Sequence, residues 1–137
     1  PDLEGTNTTS TKDLAYSINL VETNQFLSTK TRDLFREILS SSKSNNMLPK
    51  AILTSLGEDD GDIDYKLSIK GYRVYNKTGD IGITYADAGL IQLPDNTRVV
   101  ASFIVKGPFN DRRSPELIRE MATAMVKVIK PLSEENP

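Results

Sequence analysis

Residues 73–80 read Arg-Val-Tyr-Asn-Lys-Thr-Gly-Asp, and the fold and the candidate site of the chain are organised around them. The pattern predicts a strand over 72–79 that ends in Lys77-Thr78-Gly79. A lysine on a cleft-facing strand can hold a substrate carboxylate and stabilise charge on a nucleophile, and the threonine hydroxyl can donate to the same carboxylate. The glycine lets a substrate lie flat against the strand, because no side chain is in the way. The alternative is that these three residues merely end a strand before a turn.

The composition is that of a single folded domain. The chain has 137 residues, 37% of them hydrophobic and 26% charged, which is enough for a modest core. A net charge of −2 and the lack of a basic block argue against a nucleic-acid partner, and no apolar run is long enough for a membrane segment. There is no Cys and no His, which excludes disulfides, thiol nucleophiles, the usual zinc sites and a Ser-His-Asp triad. Acid–base chemistry must therefore use Lys, Asp, Glu or Tyr.

Two further strands are predicted after the motif. Apolar residues over 85–93 and 97–106 indicate them, and residues 94–96 (Pro-Asp-Asn) predict the hairpin turn between them. The second run is almost continuously apolar, which is typical of a strand covered on both faces. Upstream of the motif, the alternating apolar residues of 65–69 predict the start of another strand.

Helices are predicted before and after these strands. Thr9 or Ser10, and further on Ser28, are typical N-caps ahead of apolar stripes with helical period. Residues 114–116 (Ser-Pro-Glu) combine a hydroxyl cap, a proline at the first position and an acid in the first turn. The predicted helices run over about 9–24, 28–39, 48–56 and 114–130, the last of them ended by a proline. The sequence thus predicts an α+β fold in which an antiparallel sheet of at least three strands packs with helices.

Three short stretches match functional patterns in form only. Residues 40–43 (Ser-Ser-Ser-Lys) have the spacing Ser-x-x-Lys, but a serine nucleophile needs its lysine in a buried, dry cleft, whereas this run lies in a polar linker. Coincidence is the favoured interpretation, as it is for the Ser-x-Asn match at 44–46. The acids of 58–64 fit a calcium loop poorly, because the glycine is misplaced and no Glu closes the loop. A solvated acidic loop is preferred.

Several stretches together carry a family resemblance. They are residues 8–11 (Thr-Thr-Ser-Thr), 26–28 (Phe-Leu-Ser), 77–82 (Lys-Thr-Gly-Asp-Ile-Gly) and 87–90 (Asp-Ala-Gly-Leu), followed by the final strand and helix. With them the whole chain resembles the C-terminal stretch of the class A β-lactamase-like, penicillin-recognising serine hydrolases, most of all the divergent members with Asp after the motif glycine. The resemblance implies that residues 1–137 are the C-terminal portion of one such domain.

The resemblance also implies an activity, which is acyl transfer or hydrolysis of an amide or ester in a small-molecule or peptide-like substrate. Lys77, Thr78 and Gly79 would bind the substrate, and the backbone N–H of Asp80 would be one oxyanion-hole donor. The nucleophile motif would lie upstream of Pro1, so this chain is expected to be inactive by itself. No cofactor and no metal is implied, and the parent protein would be periplasmic or secreted.

Two features depart from the typical penicillin-hydrolysing members. A carboxylate at Asp80 repels an anionic substrate by about 1 kcal/mol when it is exposed, and no Arg stands at residues 84–86 to clamp a carboxylate. Arg112 or Arg113 could substitute for that clamp, but the favoured interpretation of this pair is surface charge near a helix start. Both departures argue against efficient lactamase activity.

The family resemblance also implies a partner for the sheet. The strand 97–106 would pair, along Val99–Val105, with a strand from the N-terminal part of the same protein, since a long apolar edge left open is an aggregation hazard. Two other functions stay open. One is a non-catalytic binding or scaffolding module of the same fold, and the other is an unrelated small α+β interaction domain in which the Lys-Thr-Gly motif is accidental.

Overall fold

The computed structural model describes residues 8–23, 27–41, 46–58 and 61–134, the last four of these by their backbone alone. Along the chain these residues form α1 (Thr11–Glu22), α2 (Thr29–Ser40), α3 (Leu48–Ser55), α4 (Ile63–Ile69), β1 (Arg73–Asp80), β2 (Thr84–Gln92), β3 (Arg98–Lys106) and α5 (Arg113–Glu134). A three-stranded antiparallel sheet with helices packed on it confirms the predicted α+β class.

The sheet has the order β1-β2-β3, and both pairs are antiparallel. In the register of β1 and β2, Thr78 lies opposite Asp87. The turn between β2 and β3 contains Asn96 in the left-handed region at φ 68°, and the carboxylate of Asp95 accepts the N–H of Thr97 at 2.9 Å. The predicted hairpin turn is confirmed, and its acid stabilises it locally.

Each face of the sheet packs on helices. On one face, the sheet, α3 and α5 enclose the larger core, which comprises Leu48, Ala51, Ile52, Leu53, Leu67, Tyr72, Ile91, Leu93, Ala101, Ala122 and Val126. On the other face, Ile18 of α1 packs against Ala88 and Leu90 of β2. Lys77 lies opposite Ala88 in the register, so its side chain is on the α1 face.

The predicted caps of the first two helices are confirmed. The Ser10 hydroxyl accepts the N–H of Asp13 at 3.1 Å at the start of α1. The Ser28 hydroxyl accepts the N–H of Thr31 at 3.3 Å at the start of α2. Each bond satisfies one of the free N–H groups that the first turn of a helix exposes.

The last helix differs from the prediction at both ends. α5 begins at Arg113, so the predicted cap Ser114 lies inside it, and the carboxylate that accepts the Arg113 N–H at 2.9 Å is that of Asp111. The helix also runs through Pro131 to Glu134. A proline removes one backbone bond but keeps a helical φ, so it can be tolerated close to a helix end.

The predicted start of a strand at 65–69 is wrong, because these residues form α4. Asp62 caps the helix by accepting the N–H of Tyr65 at 3.0 Å. Leu67 is 2% exposed, whereas Tyr65 and Ile69 are each 63% exposed. Residues four apart share one side of a helix, and the residue between them faces the other way. The apolar alternation therefore belongs to a short helix that buries only its middle residue.

The acidic segment before α4 supports the local structure. Glu58 forms salt bridges with Lys66 at 2.9 Å and Lys70 at 3.0 Å, and the hydrogen bonds from these lysines lower the pKa of Glu58. Asp59 and Asp60 lie outside the described residues. Within the described ranges no group of three acidic side chains is placed to hold a metal ion.

Candidate functional site

The outer edge of β1 carries the predicted site residues. In the part of the chain that the structure describes, β1 pairs with β2 alone. The N–H of Ile81 donates to the carbonyl oxygen of Thr84 at 3.1 Å, and hydrogen-bonded and non-hydrogen-bonded pairs alternate along an antiparallel ladder. Asp80 and Thr78, one and three residues before Ile81, therefore belong to non-hydrogen-bonded pairs. Their N–H and C=O groups point away from β2 toward the open edge.

Lys77 presents its charge at this edge. The side chain is exposed, and its Nζ donates to the carbonyl oxygen of Thr78 at 2.5 Å, which is one of the outward-pointing backbone groups. Among the salt bridges of the described residues, none involves Lys77. The positive charge is therefore available to an anionic ligand that lies along β1.

The folded structure does not require a glycine at position 79. Gly79 is exposed, and a Cβ added to it would meet only the Cβ of Ala86, at an ordinary contact distance of 3.8 Å. Its φ lies outside the left-handed region that favours glycine. Packing and backbone conformation thus leave the glycine unexplained, whereas a ligand lying flat on the strand would explain it.

A groove of about 450 Å³ lies beside the motif. Lys77, Thr78 and Gly79 form one wall. The other walls come from α1, α2 and β2 through Leu14, Ser17, Ile18, Val21, Phe35, Leu39, Ala86 and Ala88. Among the described residues that line this groove, Lys77 alone is charged. A charge beside an apolar wall attracts an opposite charge more strongly than it would in bulk water.

The carboxylate of Asp80 has a local structural partner. It accepts the N–H of Gly82 at 2.7 Å, inside the turn from β1 to β2. Gly82 has φ 83° and lies under the ring of Phe109, which a Cβ on the glycine would approach to 2.4 Å. The acid that follows the motif glycine therefore holds the turn in addition to placing a negative charge near the open edge.

Asp87 links the strand that carries the motif to the start of α3, a role that the sequence analysis missed. Its side chain is fully buried at the centre of β2. It accepts the side-chain N–H of Asn76 at 2.9 Å and the backbone N–H of Leu48 at 2.9 Å. Burial raises the pKa of Asp87, and these hydrogen bonds oppose that rise. The available signal was an acid between Ala86 and Ala88 in an otherwise apolar strand.

Gly89 makes the contact between Asn76 and Asp87 possible. It lies opposite Asn76 in the register, and a Cβ on it would come within 2.3 Å of the Tyr75 carbonyl oxygen and 2.8 Å of the Asn76 Cβ. Such distances are far below van der Waals contact. The glycine in the Asp-Ala-Gly-Leu stretch is therefore required by close packing of β1 on β2.

The other residues weighed from the sequence lie elsewhere. The Arg113 guanidinium binds Asp111 through Nε at 3.0 and 2.9 Å and lowers the pKa of that carboxyl to about 2. Neither Arg112 nor Arg113 lines the groove beside Lys77. Of the formal Ser-x-x-Lys match, the Ser40 hydroxyl donates to the carbonyl oxygen of Glu37 at 2.8 Å.

Parts of two formal matches lie outside the described residues. They are Ser42 and Lys43 of the Ser-x-x-Lys match, and Ser44 and Asn45 of the Ser-x-Asn match. Phe26 of the Phe-Leu-Ser stretch also lies outside them.

In the described part of the chain, no helix has the length and apolarity needed to cross a bilayer.

Comparison with known proteins supplies the family. Residues 1–129 match the Beta-lactamase enzyme family, so the chain belongs to it. The structure of PBP-A is similar, with 35% sequence identity and a TM-score of 0.77 over 96% of this chain and 43% of that chain. A PBP-A mutant, solved as an acyl-enzyme complex with penicillin G, matches at the same identity and TM-score.

A more distant relative shows the same fold. The class A β-lactamase from Mycobacterium abscessus has 16% identity and a TM-score of 0.71 over 95% of this chain and 45% of that chain. Comparison with curated protein sequences gives no match. The predicted β-lactamase-like fold is confirmed. The chain spans less than half the length of the solved relatives it matches.

Proposed function

We propose that the chain is the C-terminal portion of a serine hydrolase that transfers or hydrolyses the acyl group of an amide or ester, and that it is not catalytically complete by itself. One observation carries the proposal: an open strand edge combines Lys77, which takes part in none of the salt bridges among the described residues, with a glycine, Gly79, that the fold does not need. Family membership supports the same class of chemistry.

In this proposal the motif residues bind the substrate along β1. Lys77 and the Thr78 hydroxyl hold a substrate carboxylate by charge-assisted hydrogen bonds. Gly79 lets the acyl group approach the strand closely. The groove beside the motif supplies an apolar setting that strengthens the attraction between Lys77 and the carboxylate.

The chemical step proposed here uses a nucleophile from outside the chain. A serine of an upstream Ser-x-x-Lys motif attacks the carbonyl carbon, with its lysine taking the hydroxyl proton. The outward N–H of Asp80 stabilises the negative oxygen of the tetrahedral intermediate. The bond to the leaving amine or alkoxide then breaks as that group takes a proton, and water later releases the acid. The related PBP-A mutant with a penicillin G acyl-enzyme makes a β-lactam one candidate acyl donor.

The N-terminal part of the same protein is the proposed partner of β3. The N–H of Gly107 donates to the Ile83 carbonyl oxygen at 2.9 Å, and the alternation of the ladder then turns the backbone groups of Ser102 and Ile104 away from β2. An incoming strand along Val99–Val105 would satisfy these groups and close the edge. By the same family argument, we propose a periplasmic or secreted parent protein.

The test uses the protein extended to the length of its solved relatives. A penicillin or another acylating probe that bears a carboxylate is expected to label one serine covalently, as intact-mass and peptide mass spectrometry would show. Lys77→Ala should slow labelling by at least about tenfold, because hydrogen bonds to charged groups contribute about 1.5–3 kcal/mol. Lys30→Ala, an exposed lysine in the first turn of α2, is the matched control and should leave the rate unchanged.

Two results would contradict the proposal. Equal labelling of wild type and Lys77→Ala would remove the assigned role of the motif lysine. A wild-type protein that no acylating probe labels, and whose upstream sequence lacks Ser-x-x-Lys on a helix, would favour a binding or scaffolding module of the same fold.

A further inference from the structure

We infer that Asp87 is a positioning residue that ties β1 and the start of α3 together and thereby sets the affinity of Lys77 for a substrate carboxylate. The inference rests on the proposed function only in taking Lys77 as the carboxylate-binding group. It concerns a side chain that is fully buried and cannot touch the substrate.

The carboxyl group of Asp87 binds two donors that are distant in sequence. Its Oδ1 accepts the side-chain N–H of Asn76 at 2.9 Å, and its Oδ2 accepts the backbone N–H of Leu48 at 2.9 Å. These two donors lie 11 and 39 residues away in sequence. A single buried side chain therefore bridges three elements, namely β1, β2 and α3.

The chemistry of the Asp87 side chain suits the start of α3. Met47, which precedes α3, makes no side-chain cap bond, and the exposed N–H groups and dipole at a helix start favour a negative charge. The Asp87 carboxyl group accepts one of these N–H groups, that of Leu48, from the sheet. Asparagine would offer one accepting oxygen in place of two, so only one of the two bonds could form in its usual direction.

Asn76 connects Asp87 to the strand that carries Lys77. It immediately precedes Lys77, and β1 has a paired neighbour on one side only within the described residues. An edge strand with one neighbour is less constrained than a central strand, so the Asn76–Asp87 bond adds a fixed point beside the lysine. Gly89 keeps the space for Asn76 clear, as its Cβ would lie 2.8 Å from that of Asn76. Three residues that do not line the groove, Asn76, Asp87 and Gly89, thus together fix the position of Lys77.

The test compares two probes on the protein of full family length. One is an acylating β-lactam with its free carboxylate, and the other is the methyl ester of the same compound. The measured quantity is the ratio of their second-order labelling rates. Wild type should prefer the carboxylate form, and Lys77→Ala should abolish this preference. Asp87→Asn should reduce it by about tenfold, since a misplacement of about 1 Å can cost up to about a hundredfold in rate. A variant that merely lowers the folded fraction would slow both probes equally.

Further variants separate positioning from stability. Ile52→Val removes one methylene from the α3 core at a residue that is 1% exposed, and it should leave the ratio at the wild-type value. Asp87→Asn added to Lys77→Ala should cause no further change in the ratio. If Asp87→Asn does not fold, Asn76→Ala serves instead, because it leaves the bond between Asp87 and Leu48 in place and should give the same loss of preference.

The outcomes are distinguishable. A lost preference in Lys77→Ala together with a wild-type ratio in both Asp87→Asn and Asn76→Ala would overturn the positioning role and keep the proposed function. An unchanged preference in Lys77→Ala would overturn the carboxylate site and the positioning role together. A double variant whose ratio falls below that of Lys77→Ala alone would show that Asp87 acts by a route other than Lys77, and it would also overturn the inference.

Discussion

The carboxylate of Asp80 accepts the backbone N–H of Gly82 at 2.7 Å, so the acid that follows the Lys-Thr-Gly motif holds the turn that reverses the chain into β2. Two physical effects therefore meet in one side chain. The hydrogen bond stabilises the turn, while the charge lies beside the strand edge that is proposed to receive an anionic substrate. Substitutions can separate these effects.

Asp80→Asn should keep the turn and remove the charge, because the amide oxygen still accepts the Gly82 N–H. Removing about 1 kcal/mol of repulsion should raise the labelling rate of an anionic acylating probe by about fivefold and leave a neutral ester probe unaffected. Asp80→Ala should instead lower the unfolding free energy by about 1 kcal/mol through the lost hydrogen bond. An anionic probe that reacts no faster with Asp80→Asn would mean that the carboxylate lies away from the bound substrate.

The two glycines of the motif region should respond differently to alanine. Gly89→Ala should lower the unfolding free energy by about 2 kcal/mol, because the new methyl group would lie 2.3 Å from the Tyr75 carbonyl oxygen. Gly79→Ala should change it by less than about 0.5 kcal/mol, since only the Ala86 Cβ lies nearby, at 3.8 Å. Urea unfolding gives both values.

The labelling assay completes this comparison. Gly79→Ala should react more slowly with an acylating probe, although its fold is unchanged, because its methyl group projects from the strand surface that the substrate covers. A variant that is stable and reacts at the wild-type rate would show that substrates do not lie against Gly79.

Glu22 should be essential to the junction of α1 and α2. Its side chain is 6% exposed and accepts from the Arg36 Nε at 3.0 and 3.1 Å, with Arg98 3.9 Å away. The hydrogen bonds that Arg36 donates to Glu22 raise the pKa of Arg36. Glu22→Gln leaves two arginines without their counter-charge and should lower the unfolding free energy by about 3 kcal/mol. Glu37→Gln, an exposed acid on α2, is the control and should stay within about 0.5 kcal/mol of wild type.

Asp111 should titrate at unusually low pH. Its pKa is about 2, chiefly because the Arg113 side chain hydrogen-bonds to the ionised form. A depressed pKa in the folded state means that the stabilisation is present above the unfolded value of about 3.9 and is lost as the pH falls toward 2. Carboxyl carbon shifts measured by NMR should give this midpoint. In Arg113→Ala the midpoint should return toward about 3.9, and a midpoint that stays low would contradict the assigned cause.

The contribution of Asp87 to the unfolding free energy should depend on pH in the opposite direction. Burial raises its pKa in the folded state, so the folded protein holds the proton to a higher pH than the unfolded chain does. Ionisation then costs stability as the pH rises from about 4 through the raised pKa. The difference in unfolding free energy between wild type and Asp87→Asn should accordingly shrink over this range. Urea unfolding at several pH values from about 4 to 7 measures it, and a difference that grows with pH would contradict the prediction.

Local patterns were sufficient for most of the fold. The caps at Ser10 and Ser28, the turn at 94–96 and the apolar runs of β2 and β3 each depend on residues close together in sequence, and each is present in the structure. The prediction of a strand in the α4 segment was wrong, because a seven-residue helix is too short for its period to be distinguished from strand alternation.

Around the candidate site, likewise, some features could be predicted from local sequence and others only from the folded structure. The Lys-Thr-Gly motif and the strand that carries it could be predicted from the sequence, because the motif consists of adjacent residues and the strand has β periodicity. The role of Asp87, the room that Gly89 leaves for Asn76, and the ion pairs of Glu22 emerged only in three dimensions, since each joins residues 11 or more positions apart. Whether a glycine or an acid is needed depends on which distant atoms surround it. Those neighbours are set by the packing of the sheet against its helices, which no local pattern contains.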